Sequence, residues 1–227
     1  MTGARALMVA VSVASVTALL PGVCVAQPAT AGRYDVSAGV RWNGPFTVAN
    51  ESAREDAPNG GSRPLFASKT RLGSSVLVTA GISARVTSAL HAEFQAAYGT
   101  GTLTSRVTAD AEPIADVSVS SSLSQIAAEA GLRMQPRRWA RRRWTPFVAA
   151  GVGYLRQMYA GRTLIETGSD AYAGGGLYYV RTSAHPRRLK ASGLRIDVRG
   201  YVMRGGIASG TALRSAPAVL ASAFARF

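Results

Sequence analysis

The sequence is short of the residues on which most site chemistry depends. It has one cysteine, Cys24, and two histidines, His91 and His185. A single thiol forms no intramolecular disulfide, and two distant histidines make no metal cluster. Acidic residues are scarce as well: 12 Asp and Glu face 26 Lys and Arg, for a formal charge of +14. A basic excess of that size calls for an anionic partner. Long hydrophobic runs are missing beyond the N-terminus. The longest, PFVAAGVGYL at 146–155, is half of the roughly 20 apolar residues a spanning helix needs, and it is rich in glycine. Hardly any segment carries a 3.6-residue apolar stripe, which excludes helical bundles and α/β layers.

The N-terminus is a different matter. Arg5 precedes an apolar run from Ala6 to Leu20, then Pro21, Gly22 and the small residues Cys24 and Ala26. This is the pattern of a secretory signal cleaved before Gln27, so residues 1–26 are a removable signal peptide. A lipidated Cys24 is a weaker reading, because Val23 and Pro21 stand where that signal wants a small residue and a leucine. Residues 27–227 contain no Pro-, Ser- or charge-rich linker and are expected to form a single domain.

What those residues do contain is period-2 alternation. In GLRIDVRGYV at 193–202, Leu194, Ile196, Val198 and Val202 share one parity and Arg195, Asp197, Arg199 and Tyr201 the other. Comparable stretches begin at RYDVSAGVRW (33–42), around Val76–Arg85, at LHAEFQAAY (90–98), around Ile126–Gln135, around Phe147–Tyr154, at YAGGGLYYV (172–180) and at PAVLASAFARF (217–227). In the sixth the glycines leave the parity uncertain, though Leu177 and Tyr179 fit the apolar side. Long polar segments near 44–70, 99–117, 156–170 and 204–213 alternate with tighter joins near 87–89, 136–143 and 182–191. One elaborated rim and one plain rim predict an all-β fold, an eight-stranded antiparallel up-and-down transmembrane β-barrel. The 44–70 segment is expected to be the main exposed loop, with a hairpin tip around Asn59, Gly60 and Gly61.

Alternation alone does not say which face is inside. In a soluble sheet the apolar parity is buried; in a bilayer it faces lipid and the charged parity fills the lumen. Two features favour the bilayer. Each run has the length of a tilted membrane-crossing strand, about 9–11 residues. With a periplasmic N-terminus, the aromatics also fall into two girdles, Trp42, Tyr98 and Tyr154 at one boundary and Tyr34, Tyr179 and Phe227 at the other. Trp139 and Trp144 lie near a rim too. The competing reading is a soluble periplasmic barrel of lipocalin type, in which the apolar parity lines a ligand cavity.

RYDVSAGVRW, WTPFVAAGVGY (144–154), GLRIDVRGY (193–201) and the terminal Phe227 resemble the OmpA-like eight-stranded outer-membrane β-barrels over nearly the whole of residues 27–227. The resemblance implies residence in the bacterial outer membrane and recognition of Phe227 and the C-terminal strand by the barrel-assembly machinery. Ala221, Ala223 and Ala225 stand where that strand is usually bulkier. The resemblance is to the barrel alone, so a peptidoglycan-binding role is not expected to carry over.

The residues expected in the lumen are Asp35, Arg41, Arg85, Glu93, Glu129, Arg133, Arg195, Asp197 and Arg199, locked into Arg–carboxylate contacts because an unpaired charge in a narrow interior is costly. That role is structural; a narrow anion-favouring channel is the alternative. Catalysis is not expected. The carboxylates are interspersed with arginines, His91 has lumen parity, His185 lies in a turn, and neither presents a nucleophile and base to lipid. The glycines lie within strands and cradle no phosphate, and no cofactor, metal or small-molecule ligand is implied. Two basic turns, PRRWARRRW (136–144) and HPRRLK (185–190), place Arg137, Arg138, Arg141, Arg142, Arg143, Arg187, Arg188 and Lys190 on one rim. In an exported barrel these suit lipid or lipopolysaccharide phosphates rather than nucleic acid.

Overall fold

The structure, a computed structural model, describes residues 32–56, 62–108, 116–141, 143–160, 164–182, 189–207 and 213–227. The predicted signal segment with Cys24, the hairpin tip at 59–61, and Arg142, His185, Arg187 and Arg188 lie outside the described residues.

The alternating sequence forms ten antiparallel strands: β1 (Tyr34–Asn43), β2 (Phe46–Asp56), β3 (Ser62–Leu72), β4 (Ser75–Arg85), β5 (Leu90–Thr108), β6 (Val117–Met134), β7 (Trp144–Tyr159), β8 (Ile165–Thr182), β9 (Ala191–Gly205) and β10 (Arg214–Arg226). Each barrel strand pairs with its neighbours in sequence, and β1 pairs with β10 from Asp35↔Arg226 to Asn43↔Ala218, which closes the cylinder. Ten strands fill only eight positions around it. β2 continues β1 beyond Gly44 and Pro45, and β3 leads into β4 through Gly73 and Ser74, so β2 and β3 are a hairpin raised above the ring. β3 pairs with the outer half of β5 (Leu72↔Leu103), while β4 pairs with its lower half (Val76↔Thr100). The pairing slips by one residue between them, as at a β-bulge.

Two expectations need correction here. Among the described residues, the segments expected as loops near 44–70, 99–117 and 156–170 are largely strand, whereas near 204–213 β9 ends at Gly205 and β10 begins only at Arg214. The strands are also longer than a crossing requires, with 19 residues in β5 and 18 in β6 and β8. The physical reason is that β pairing and apolar alternation separate where lipid ends. In GTGTLTSRVT (99–108) and VSVSSSLS (117–124) both faces carry Ser, Thr or Gly, yet the ladder runs on from Gly99↔Gln125 to Val107↔Val117. Threonine and valine suit a pleated backbone without needing one greasy side.

The lower connections are short. One is a turn at 86–89, and another holds the 3₁₀ turn Arg137–Trp139. The apolar parity points outward around the ring: Val78 is 67% exposed, and Ile196 is 55% exposed beside Asp197 at 1%. This inverts the distribution of a water-soluble sheet. The soluble lipocalin reading is corrected by the same observation, since it needs the apolar row inside and the charged row outside.

Candidate functional site in the barrel interior

β1, β5, β6 and β9 turn their charged parity inward, and the narrow interior of an eight-stranded ring forces the side chains to meet. They form one connected chain of ion pairs. Arg226 Nε donates to Asp35 Oδ1 at 2.6 Å. The other Asp35 oxygen receives Arg133 at 3.2 Å, and Arg133 also reaches Glu93 at 3.2 Å. Glu93 receives Arg195 at 3.0 Å, and Arg195 pairs with Asp197 at 2.6 Å. Asp197 receives Arg199 at 3.2 Å, Arg199 meets Glu129 at 2.9 Å, and Glu129 ends the chain on Arg41. Every carboxylate in it thus meets at least two guanidiniums, Glu93 a third in Arg199 at 3.6 Å, which is how buried charges are kept from being orphaned.

Eight of the nine residues expected in the lumen belong to this chain. Arg85 is the exception: it is half-buried at the lower end of β4, cross-strand from His91, and stands at the rim. Arg226 was not anticipated, although it lies on the inward parity of β10. Asp170, buried on β8, was not anticipated either.

The larger omission is aromatic. Phe147, Tyr172, Tyr178, Tyr201 and Phe224 are all buried inside the ring, in one cluster with Ala149, Ala218 and Leu220. They stack on the arginines. Arg199 lies 4.4 Å from the Tyr172 ring centre, Arg195 4.8 Å from Phe147, Arg133 4.9 Å from Tyr178 and Arg41 5.3 Å from Tyr201. A guanidinium over an aromatic face gains on the order of 0.5–2 kcal/mol, more as the pair is desolvated. The phenols join the polar chain as well: Tyr201 Oη donates to Glu129 at 3.2 Å and Tyr172 Oη to Glu93 at 3.3 Å. Tyr201 shares parity with Arg195, Asp197 and Arg199 in the sequence, which is the signal that could have placed it; Phe147 shares its parity with Ala149, Gly151 and Gly153 and carries no such signal.

Small residues on neighbouring strands make room for these rings. A Cβ on Gly131 would lie 2.4 Å from Tyr172 Oη, and one on Gly151 would lie 2.7 Å from Tyr172 Cε1. On β8, a Cβ on Gly176 would strike Asp197 Cβ at 2.6 Å.

The network splits the remaining space. Above it is a cavity of about 30 Å³, lined by Arg41, Gln125, Gln157, Asp170 and Tyr201 among others. Below it is one of about 10 Å³ beside Asp35, Glu93 and Arg133. Three polar atoms around the upper one, Arg41 Nε, Gln125 Nε2 and Asp170 Oδ1, lack a partner among the described residues, and a polar space of that size suits water.

The girdle residues lie at the two ends of the belt. Tyr34, Trp144 and Phe227 are exposed at the lower boundary and Trp42, Tyr98 and Tyr154 at the upper. Tyr179 is half-buried, packed on Trp144 with ring centres 5.1 Å apart. Trp139 is exposed in the lower 3₁₀ turn. Of the basic turn residues, Arg137 belongs to that 3₁₀ turn, Arg138, Arg141 and Arg143 are exposed on the lower rim, and Lys190 is half-buried there. His91 is buried on the lumen side.

An outward apolar belt, a charged and aromatic plug, and closure through the first and last strands define a transmembrane-type eight-stranded up-and-down barrel. Solved structures share that fold. The chain is similar to the outer membrane protein OprG from Pseudomonas aeruginosa, with TM-score 0.53 and 12% identity over 87% of this chain and 96% of that one. It is also similar to Neisserial surface protein A, with TM-score 0.52 and 11% identity over 86% of this chain and 97% of that one. No protein-family model matches the sequence, and no curated protein matches it.

Proposed function

We propose that the chain is a small integral outer-membrane barrel of OmpA-like type, with a structural or surface-interaction role exerted through its raised upper rim. The observation that carries this reading is the inversion of faces, with valine, isoleucine and leucine outward and five arginines locked to four carboxylates inward. Burial of that apolar belt needs a hydrocarbon surround, and closure leaves no raw edge within it. Residence beside lipid and lipopolysaccharide follows, with the lower basic residues against inner-leaflet phosphates. Delivery by the barrel-assembly machinery, reading Phe227 and the last strand, belongs to the same proposal. No catalytic step is included.

A plugged lumen supports a non-conducting role over the anion-channel alternative, because the space left beside the network is a few tens of Å³. The test is heat-modifiable migration of the refolded chain in detergent, together with recovery in the membrane fraction. A chain that stays in the aqueous fraction without detergent refutes the proposal. Discrete, anion-selective current steps from the folded barrel in a planar bilayer would replace the plugged role with the channel.

A further inference from the structure

The outward surface is not uniformly covered. β8 presents Ala171, Ala173, Gly175, Leu177, Tyr179 and Arg181 in succession along its outer row, passing from tiny to large to basic as it descends. Gly175 leaves a gap between Val148 on β7 and Val198 on β9, its cross-strand neighbours. The result is a groove of about 620 Å³, bordered by Trp144, Leu177, Tyr179, Leu194, Ile196 and Val198. Its size is that of an ordinary small-molecule site, roughly 300–1,000 Å³, yet its walls offer almost nothing to hydrogen-bond.

The lower end of the same groove is polar. Trp144 and Tyr179 stack there, as rings do at a headgroup boundary. Arg143 donates to Tyr179 Oη at 3.1 Å, which draws its guanidinium to the mouth of the groove. Arg181 follows Tyr179 by one outward step on β8 and is exposed. An apolar trench that opens onto two cations at the aromatic boundary is complementary to one kind of molecule, an acyl chain ending in a phosphate.

We propose that this groove binds a phospholipid of the inner leaflet, one acyl chain lying over Gly175 and its phosphate held by Arg143 and Arg181. The inference rests on the membrane reading above. It adds that one lipid is held in place rather than merely adjacent. The triple glycine then has two consequences. Inward, Gly174 and Gly176 admit Arg199 and Asp197 to the ion-pair chain; outward, Gly175 opens the seat for the chain.

Native mass spectrometry of the folded barrel, released from micelles doped with phosphatidylglycerol, is the experiment. The wild type is expected to retain one lipid. Val198→Trp, which fills the seat from β9, whereas a Cβ on Gly175 itself would press on the Phe147 backbone oxygen at 2.9 Å, is expected to reduce retention about tenfold, and Arg143→Gln with Arg181→Gln by a similar factor from two lost phosphate contacts. Ala80→Leu, an outward change on β4 across the ring, is expected to retain lipid like the wild type, and glycerol phosphate without acyl chains is expected to leave no adduct. Retention unchanged in the double arginine variant, or equal loss in Ala80→Leu, overturns the proposal. So does a wild type that migrates as a folded barrel yet carries no lipid. Absence of heat-modifiable migration, in contrast, overturns the membrane reading itself.

Discussion

Between Leu90 and Tyr98, β5 sets Ala92, Phe94, Ala96 and Tyr98 outward and His91, Glu93 and Gln95 inward; between Gly99 and Thr108 the same strand carries Thr100, Thr102 and Thr104 outward instead. The backbone does not register the change, since β5 stays paired with β6 along its full length. Only the surroundings differ. The lower half is solvated by hydrocarbon on one side and by its own ions on the other, so every side chain there is constrained. In the raised half the outward row meets water and Leu103 packs inward on the Val48–Leu72–Leu123 cluster; beyond that contact, pairing carries the strand on.

Substitutions that exchange the demands of the two halves test this contrast. The largest effect is expected inside the lower half. Glu93→Ala leaves Arg133 and Arg195 without their shared carboxylate, and breaking a buried pair in this way costs about 3–5 kcal/mol. Equilibrium unfolding in lipid vesicles should show that loss; a variant as stable as the wild type would mean that the ions are well hydrated and the plug is loose. Next comes the outward face. Ala80→Arg, level with Ala38 midway between the girdle residues Tyr34 and Trp42, is expected to destabilise by about 2–4 kcal/mol in vesicles, and an unchanged midpoint would remove hydrocarbon from that surface. The smallest effect belongs to the raised half. Thr102→Arg on the same outward row should stay within about 0.5 kcal/mol, as exposed substitutions do. If it costs as much as Ala80→Arg, the boundary between halves has been drawn too low.

The same contrast explains what was legible in the sequence. Parity placed Asp197 and Ile196 on opposite faces correctly, because lipid demands strict alternation and the pattern is therefore written into the residues. Above the belt nothing enforces alternation, so GTGTLTSRVT (99–108) reads as loop although it is strand. The interior aromatics were hidden for another reason. Tyr172 and Tyr178 lie on either side of a glycine run that blurs parity. Phe224 follows a row of alanines, and its inward position depends on pairing with Gly193, a neighbour that no local pattern reveals. Arg85 has inward parity but stands at the end of its strand, where parity no longer means burial.

The seam between β1 and β10 has a further consequence. Arg226 and Asp35 are 191 residues apart in sequence yet clasped at 2.6 Å. Closing so long a span is entropically slow, and until it happens each partly assembled sheet bears two raw edges able to recruit other chains. Ring closure is therefore the contact of greatest span in the molecule, and a chain halted before it is exposed along both margins however stable the finished cylinder is.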